Sequence, residues 1–318
     1  MKIAVIGSGA VGGVIGAQLS GTGLDVNLYD VNRSLIEAVD SDGITLEMPT
    51  GQKKTYHAKI TDDVASIGMV DLAVICVKGY HTESAIKDSL PVVGENTHVL
   101  SIQNGVGNIE IIADTIGDAH RVLGGSLKAN VLPHTHTHLL YSPGDGLVLG
   151  PMDNEVREVH HDIVTAFGKA GIQAEVTDNI QGALWTKVSH NVMNALAAIL
   201  WLRNEEYLNY PSAVSIWEKA VKEAAEVAAA QGIVIEDPED PCASPRKIYE
   251  IWREAGSKGE TTTMQDLSKG RKTEVEIING AVVGAGRKYN VPTPVNEVLT
   301  LLVKAFEEKK GIRPAGFP

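Results

Sequence analysis

KIAVIGSGAVG, Lys2–Gly12, is the stretch whose reading decides the fold. It starts with a short apolar, β-prone run, continues into GSGAVG, and leads into AVGGVIGAQLS, which has helical spacing. Strand, glycine turn and helix together place G-x-G-x-x-G in its proper context. Glycines at Gly7, Gly9 and Gly12 permit a tight turn. They let the main chain of Gly7, Ser8, Gly9, Ala10, Val11 and Gly12 approach a pyrophosphate at the helix N-terminus. A plain tight turn would use the same residues, but at the head of a strand–helix–strand unit dinucleotide binding is the better reading.

Working outward, the same alternation continues: VNLYD then NRSLIEAV, DLAVICV then TESAIKDSL, HVLSI then GNIEIIADTI. That order predicts βαβ units and a doubly wound, mostly parallel α/β sheet. ITLEMPTGQKKTYHAKI, residues 44–60, breaks the pattern and reads as an inserted hairpin with a Pro-Thr-Gly turn. Beyond Arg121, GGSLKANVL, THLLYS and GLVLG read as strands with SPGDG as a turn, then a helix from about 154 to 170 and a short strand QAEVT. From Asp178 strand signals fade, and long segments such as SAVSIWEKAVKEAAEVAAAQG carry helical periodicity. We expect a Rossmann-type domain over residues 1–177 and an all-helical domain over 178–318.

Bulk properties narrow the function. The chain has 318 residues, 43% hydrophobic, and no run approaches the ~20 apolar residues of a membrane span. The start lacks the small-residue cleavage site of a signal peptide, so a cytoplasmic protein is expected. Two distant cysteines, Cys76 and Cys242, imply neither a disulfide framework nor a zinc cluster. A net charge of -12 opposes nonspecific binding to nucleic acid or anionic membranes, leaving a small molecule as the expected partner.

Several residues carry candidate chemistry. Asp30 ends the second predicted strand, where a carboxylate can accept hydrogen bonds from ribose hydroxyls and would repel a 2′-phosphate. It favours NAD(H), while Arg33 and Lys78 keep NADP(H) open as sources of positive charge. SIQNGVGN, Ser101–Asn108, puts Asn104 at the C-terminal end of a strand, where open α/β sheets place ligands; a structural turn would also use Asn-Gly. LPHTHTHLLY offers His134, His136 and His138 on one side of a strand, but same-face residues stand ~7 Å apart there, so an exposed strand or loop is preferred to a metal site. In WTKVSHNVMN, Trp185–Asn194, Lys187, Asn191 and Asn194 fall at i, i+4 and i+7 of one helical face, for which a solvated surface is the default. Glu274 reads by default as a surface helical carboxylate, and Thr262 as a helix cap as readily as a ligand-binding hydroxyl.

Together these segments resemble the ketopantoate reductase family over nearly the full length. The resemblance rests on GSGAVG, on Val77-Lys78, on Gln103-Asn104-Gly105 and on W-x-K-x-x-x-N at Trp185–Asn191. It rests above all on TTMQDLSKGRKTEVEIINGAVVGAGRKYNVPTPVNEVL, Thr262–Leu299. It implies a Rossmann domain holding a nicotinamide cofactor, a helical domain, and a 2-oxo acid bound in the cleft. By the same resemblance Lys187 is the proton donor to the developing alkoxide and Glu274 its acidic partner. Asn104 lies near the nicotinamide, Asn191 binds substrate, and Thr262 stands where the family has a serine that holds the substrate carboxylate.

Three departures qualify the match. Family members commonly carry an asparagine eight residues after the lysine, where this chain has Ala195, with Asn194 one position earlier. Asp30 occupies a place that is often basic in NADPH-using members. Thr262 adds a methyl to the expected serine. Ketopantoate is the leading substrate, another 2-hydroxy acid the alternative, and a noncatalytic dinucleotide sensor the reading from a different class. A homodimer is also expected, the alanine-rich segment Ala220–Ala230 being able to bury itself against a second copy or within its own domain.

Overall fold

The structure, a computed structural model, describes residues 1–309. It packs as two compact units: Met1–Gln103 with Asn108–Ile180, and Asn104–Gly107 with Gln181 onward.

The first unit is built on one sheet. Its strands are β1 (Lys2–Ile6), β2 (Asp25–Tyr29), β3 (Ile44–Glu47), β4 (Lys53–Tyr56), β5 (Lys59–Thr61), β6 (Leu72–Ile75), β7 (His98–Ser101), β8 (Val122–Pro133), β9 (His138–Pro151) and β10 (Ala174–Val176). They lie in the order β4-β3-β9-β8-β7-β6-β1-β2-β5, with β10 paired to β9. From β5 to β8 every pairing is parallel. A parallel sheet covered by helices on both faces demands continuous apolar strands. LAVI of β6 meets that demand with every residue at 0% exposure, and Ile3 to Ile6 of β1 are at most 1% exposed. The four expected strand–helix alternations all form, with helices at Ala10–Ser20, Arg33–Asp42, Thr82–Asp88 and Asn108–Ile116.

The inserted hairpin also forms. β3 and β4 pair antiparallel, and the turn closes through Met48 N–H to Gln52 carbonyl at 2.8 Å and a positive φ at Gly51. The tail of that stretch departs from expectation, because Lys59–Thr61 leaves the hairpin as β5 and pairs parallel with β2. SPGDG is likewise no turn. THLLYS and GLVLG both run into the single strand β9, and the three residues between them, Pro143 to Asp145, are absorbed by a bulge against β8. Pairing steps from Asn130↔Ser142 to Lys128↔Gly146. Gly144 and Gly146, both at positive φ, take the backbone conformations such a bulge needs. The helix Glu158–Lys169 and β10 close the unit.

In the second unit the described residues hold no strand. Its helices are Ile180–Asn191, Met193–Leu200, Pro211–Ala230, Ala243–Glu254, Thr262–Ser268, Asn279–Tyr289 and Pro294–Glu308, the first beginning at the junction. Pro211–Ala230 is central: Trp217, Ala220, Val221, Ala224, Val227 and Ala228 are all at 0% exposure. They join Val188, Val192, Met193, Val282, Leu299 and Val303 in one core. The alanine stripe at 220, 224 and 228 therefore packs inside its own unit; small side chains there let neighbouring helices approach. The chain thus combines a Rossmann-type α/β sheet with an all-helical C-terminal region.

Candidate active site

The glycine turn is shaped by what surrounds it. Gly7 has φ +89°, and a Cβ there would come within 2.6 Å of the Val77 side chain. At Gly12 a Cβ would overlap the Gly7 carbonyl at 1.9 Å, so only glycine lets the helix sit this close to β1. Gly9 differs: it is exposed, and a Cβ there would meet nothing within 4 Å. Space at the second glycine, beside the start of the helix Ala10–Ser20, is what a pyrophosphate needs.

The main-chain donors divide in a way the sequence does not reveal. Gly7 N–H donates to the Tyr29 carbonyl at 2.9 Å, and Ser8 N–H donates to Asp30 Oδ2 at 2.7 Å. Those two groups are therefore engaged within the fold. Gly9, Ala10, Val11 and Gly12 lie at the helix N-terminus, where N–H groups have no intrahelical acceptor. Asp30 also accepts from Asn32 N–H at 2.9 Å through its other oxygen, so its carboxylate ties the turn to the end of β2. Each carboxylate oxygen keeps a second lone pair for a ribose hydroxyl. Arg33 is largely exposed, its Nε 3.8 Å from Asp62. Lys78 is half-buried, just before the short helix Gly79–His81.

Gln103, read in sequence only as part of the Gln103-Asn104-Gly105 motif and given no role of its own, organises this wall. Buried at 5% exposure, its amide donates to the Val77 carbonyl at 2.9 Å and to the Thr82 hydroxyl at 2.8 Å. Its Oε1 accepts from the Ser101 hydroxyl. Val77, thus fixed, is the residue against which Gly7 packs. The neighbouring Cys76 thiol is pushed up by burial, which keeps it neutral and unreactive.

In the second unit, Lys187, Asn191 and Asn194 are all half-buried, whereas Val188, Ser189, Val192, Met193, Ala195 and Leu196 around them are buried. The polar line is a stripe on an otherwise enclosed helix, not the solvated face that is its default reading. The helix is interrupted at Val192, between Asn191 and Asn194.

Glu274 also departs from its default. It is 5% exposed, at the start of the short helix Val275–Ile277, and its Oε2 accepts from the Asn104 side-chain amide at 3.2 Å. Asn104 belongs to the four-residue segment Asn104–Gly107 that packs with this unit. Gly105 is pressed onto the same short helix: its φ is +82°, and a Cβ would fall 2.1 Å from the Ile277 carbonyl oxygen. Val106 N–H donates to that carbonyl at 3.3 Å.

Thr262 is not the helix cap. Thr261 takes that role, its hydroxyl accepting from Met264 N–H at 3.0 Å, which leaves Thr262 exposed as the first helical residue. Of the histidines of LPHTHTHLLY, His134 and His136 lie in the connection from β8 to β9 and His138 is the first residue of β9, so the three do not share one strand face. His138 pairs with Glu47 at 2.6 Å, and its ring lies 5.2 Å from that of His134. Among the described residues no group of three or more His, Cys, Asp or Glu is arranged to hold a metal, and no helix is long and apolar enough to cross a membrane.

A strand–glycine turn–helix at the head of a parallel sheet, followed by a helical unit that contains lysine, asparagine and a buried glutamate, defines the class: a nicotinamide-dinucleotide oxidoreductase. Comparison with known proteins supplies the family. The model described as ketopantoate reductase PanE/ApbA matches residues 3–154, and its C-terminal counterpart matches residues 179–307. The chain belongs to the ketopantoate reductase family. It is 31% identical to a 2-dehydropantoate 2-reductase of Pyrococcus horikoshii, over 98% of this chain and 99% of that protein. Among solved structures, a PanE/ApbA family ketopantoate reductase from Ralstonia eutropha matches with TM-score 0.87 and 28% identity, covering 98% of this chain and 100% of that one. The ternary structure of D-mandelate dehydrogenase with NADH and anilino(oxo)acetate matches with TM-score 0.89 and 25% identity over the same shares.

Proposed function

We propose that the protein reduces a small 2-oxo acid to its 2-hydroxy acid, with 2-dehydropantoate the first candidate. The chain to residue 177 serves the cofactor and the chain from 178 the acid. The observation that carries this reading is the buried Glu274 held by the Asn104 amide, in the same helical unit as the half-buried Lys187 and Asn191.

The residues suit the chemistry. Gly9 to Gly12 would cradle the pyrophosphate, and Asp30 would receive the adenosine ribose, which favours NADH over NADPH. When bound, the nicotinamide supplies the hydride. Reduction then builds negative charge on the carbonyl oxygen, and the Lys187 ammonium stabilises that charge and gives up the proton that makes the hydroxyl. Glu274 supports the charged form of Lys187. Asn191 and Asn104 hydrogen-bond the acid without adding charge, and Asn194 and Thr262 contribute contacts that differ from the family pattern.

The test is a panel of 2-oxo acids assayed with NADH and NADPH, alongside Lys187→Ala. Preference for 2-dehydropantoate with NADH, lost in the variant while NADH still binds, supports the assignment. Unchanged turnover in Lys187→Ala refutes the role given to that lysine, and NADH binding with no turnover on any acid favours a sensor. A second reading, a bulkier 2-hydroxy acid, draws on the likeness to D-mandelate dehydrogenase and on Ala195 where an asparagine is usual. Aromatic 2-oxo acids in the same panel decide it. The expected homodimer remains a proposal for sedimentation, its surface lying elsewhere than the core alanines of Pro211–Ala230.

A further inference from the structure

The interruption at Val192 has a partner that no candidate role explains. Asn279, 1% exposed at the start of its helix, donates one amide hydrogen to the Val192 carbonyl at 3.2 Å and the other to Asn296 Oδ1 at 3.0 Å. Asn296, at 0% exposure, in turn donates to the Ala220 carbonyl at 2.9 Å and to Glu223 Oε2 at 2.7 Å. Glu223 also accepts the main-chain N–H groups of Val295 and Asn296 at 2.8 and 2.9 Å, which caps the helix Pro294–Glu308. A run of buried amides this well satisfied is rigid. It ends on a carbonyl one residue past Asn191.

The Asn279 amide thus holds the carbonyl of the one residue that separates the helix Ile180–Asn191 from Met193–Leu200. That residue lies between Asn191 and Asn194, so anchoring it anchors the backbone that carries both asparagines. Residues 274–279 form one short segment whose first member, Glu274, binds Asn104 and whose last, Asn279, binds Val192. That segment therefore registers the Asn104 loop and the helix carrying Lys187 and Asn191 against one another.

We infer that Asn279 is a positioning residue for acid recognition: its side-chain amide anchors the helix break at Val192 and thereby the placement of Lys187, Asn191 and Asn194. The inference rests on the keto-acid reductase reading. It extends that reading by naming a buried residue, out of reach of the acid, that sets which acids fit.

Asn279→Ser and Asn279→Asp test it, with NADH binding measured by fluorescence quenching and kcat and KM measured on the panel of 2-oxo acids. The expected result is unchanged NADH affinity, a KM for the preferred acid raised by about tenfold to a hundredfold, and an altered ranking of acids. Serine, which keeps a donor, should lose less than aspartate. Unchanged KM and ranking with lower thermal stability overturns the inference, as does failure of both variants to fold, since Asn279 would then serve stability alone. A wild-type protein that reduces no acid in the panel fails the underlying function instead.

Discussion

Gly105→Ala should separate the loop that carries Asn104 from the buried glutamate. Gly105 has φ +82°, a conformation that costs a residue with a side chain about 1–3 kcal/mol. Its new Cβ would also lie 2.1 Å from the Ile277 carbonyl oxygen, whereas real contacts of that kind are essentially never under 3.0 Å. Moving two backbone segments apart to relieve such overlap adds about 1–3 kcal/mol, for a total of roughly 2–6 kcal/mol. The shift needed is close to an ångström, enough to break the 3.2 Å contact of Asn104 with Glu274 and to lower kcat/KM by about a hundredfold. Gly107→Ala is the matched control. Gly107 has φ +93° but nothing within 4 Å of its Cβ position, so it carries the strain without the collision. Thermal melting and steady-state kinetics on both variants read the difference. Equal damage from the two substitutions, or full activity in Gly105→Ala, would refute the argument.

Three further outcomes are expected. Lys187→Ala should lower kcat by about 10²–10⁴-fold, the range for a lost general acid, with NADH titration unchanged; loss of NADH binding would contradict that role. Asp30→Ala should cost about 1–3 kcal/mol of stability because Ser8 and Asn32 N–H lose their acceptor, and should weaken NADH more than NADPH; an unaltered cofactor ratio would dissociate Asp30 from cofactor choice. His160→Gln should flatten the acid limb of stability. Burial, helped by nearby His98, lowers His160 to about 4, so between roughly pH 6.5 and 4 the unfolded chain binds the extra proton and stability falls as pH falls. Half-buried His98 is lowered too and acts in the same direction, so the slope should shrink without vanishing; an unchanged slope of melting temperature against pH would exclude His160 as its source.

What was legible in the sequence was local. Period-two and period-3.6 patterns identified the βαβ units because burial on both faces of β1 and β6 leaves only apolar residues to use. SPGDG misled because Pro and Gly suit a bulge as well as a turn, and only the long partner strand β8 decides between them. Nothing in three successive threonines says which one caps a helix; the backbone chose Thr261. Glu274 was singled out only by family resemblance, while its burial depended on a loop distant in sequence. Asn279, Asn296 and Gln103 stood inside the quoted motifs but were given no role, because a buried amide looks like a surface one until its partners are known. A polar residue in a segment rich in Val and Ile, as Asn279 is, was the signal that existed.

The segment Asn104–Gly107 also has a consequence for synthesis. Asn104 and Glu274 are 170 residues apart, so at about 5–20 residues per second the ribosome delivers the asparagine roughly 10–30 s before its acceptor. The sheet that flanks this loop can form during that wait, while Glu274 and the Ile277 carbonyl, on which the loop closes, are still to be made. The Asn104–Glu274 contact therefore forms among the last in the chain. On the proposed assignment, a product that terminates before Glu274 keeps the residues given to the cofactor and lacks those given to the acid, so cofactor binding is then a poor proxy for full-length protein.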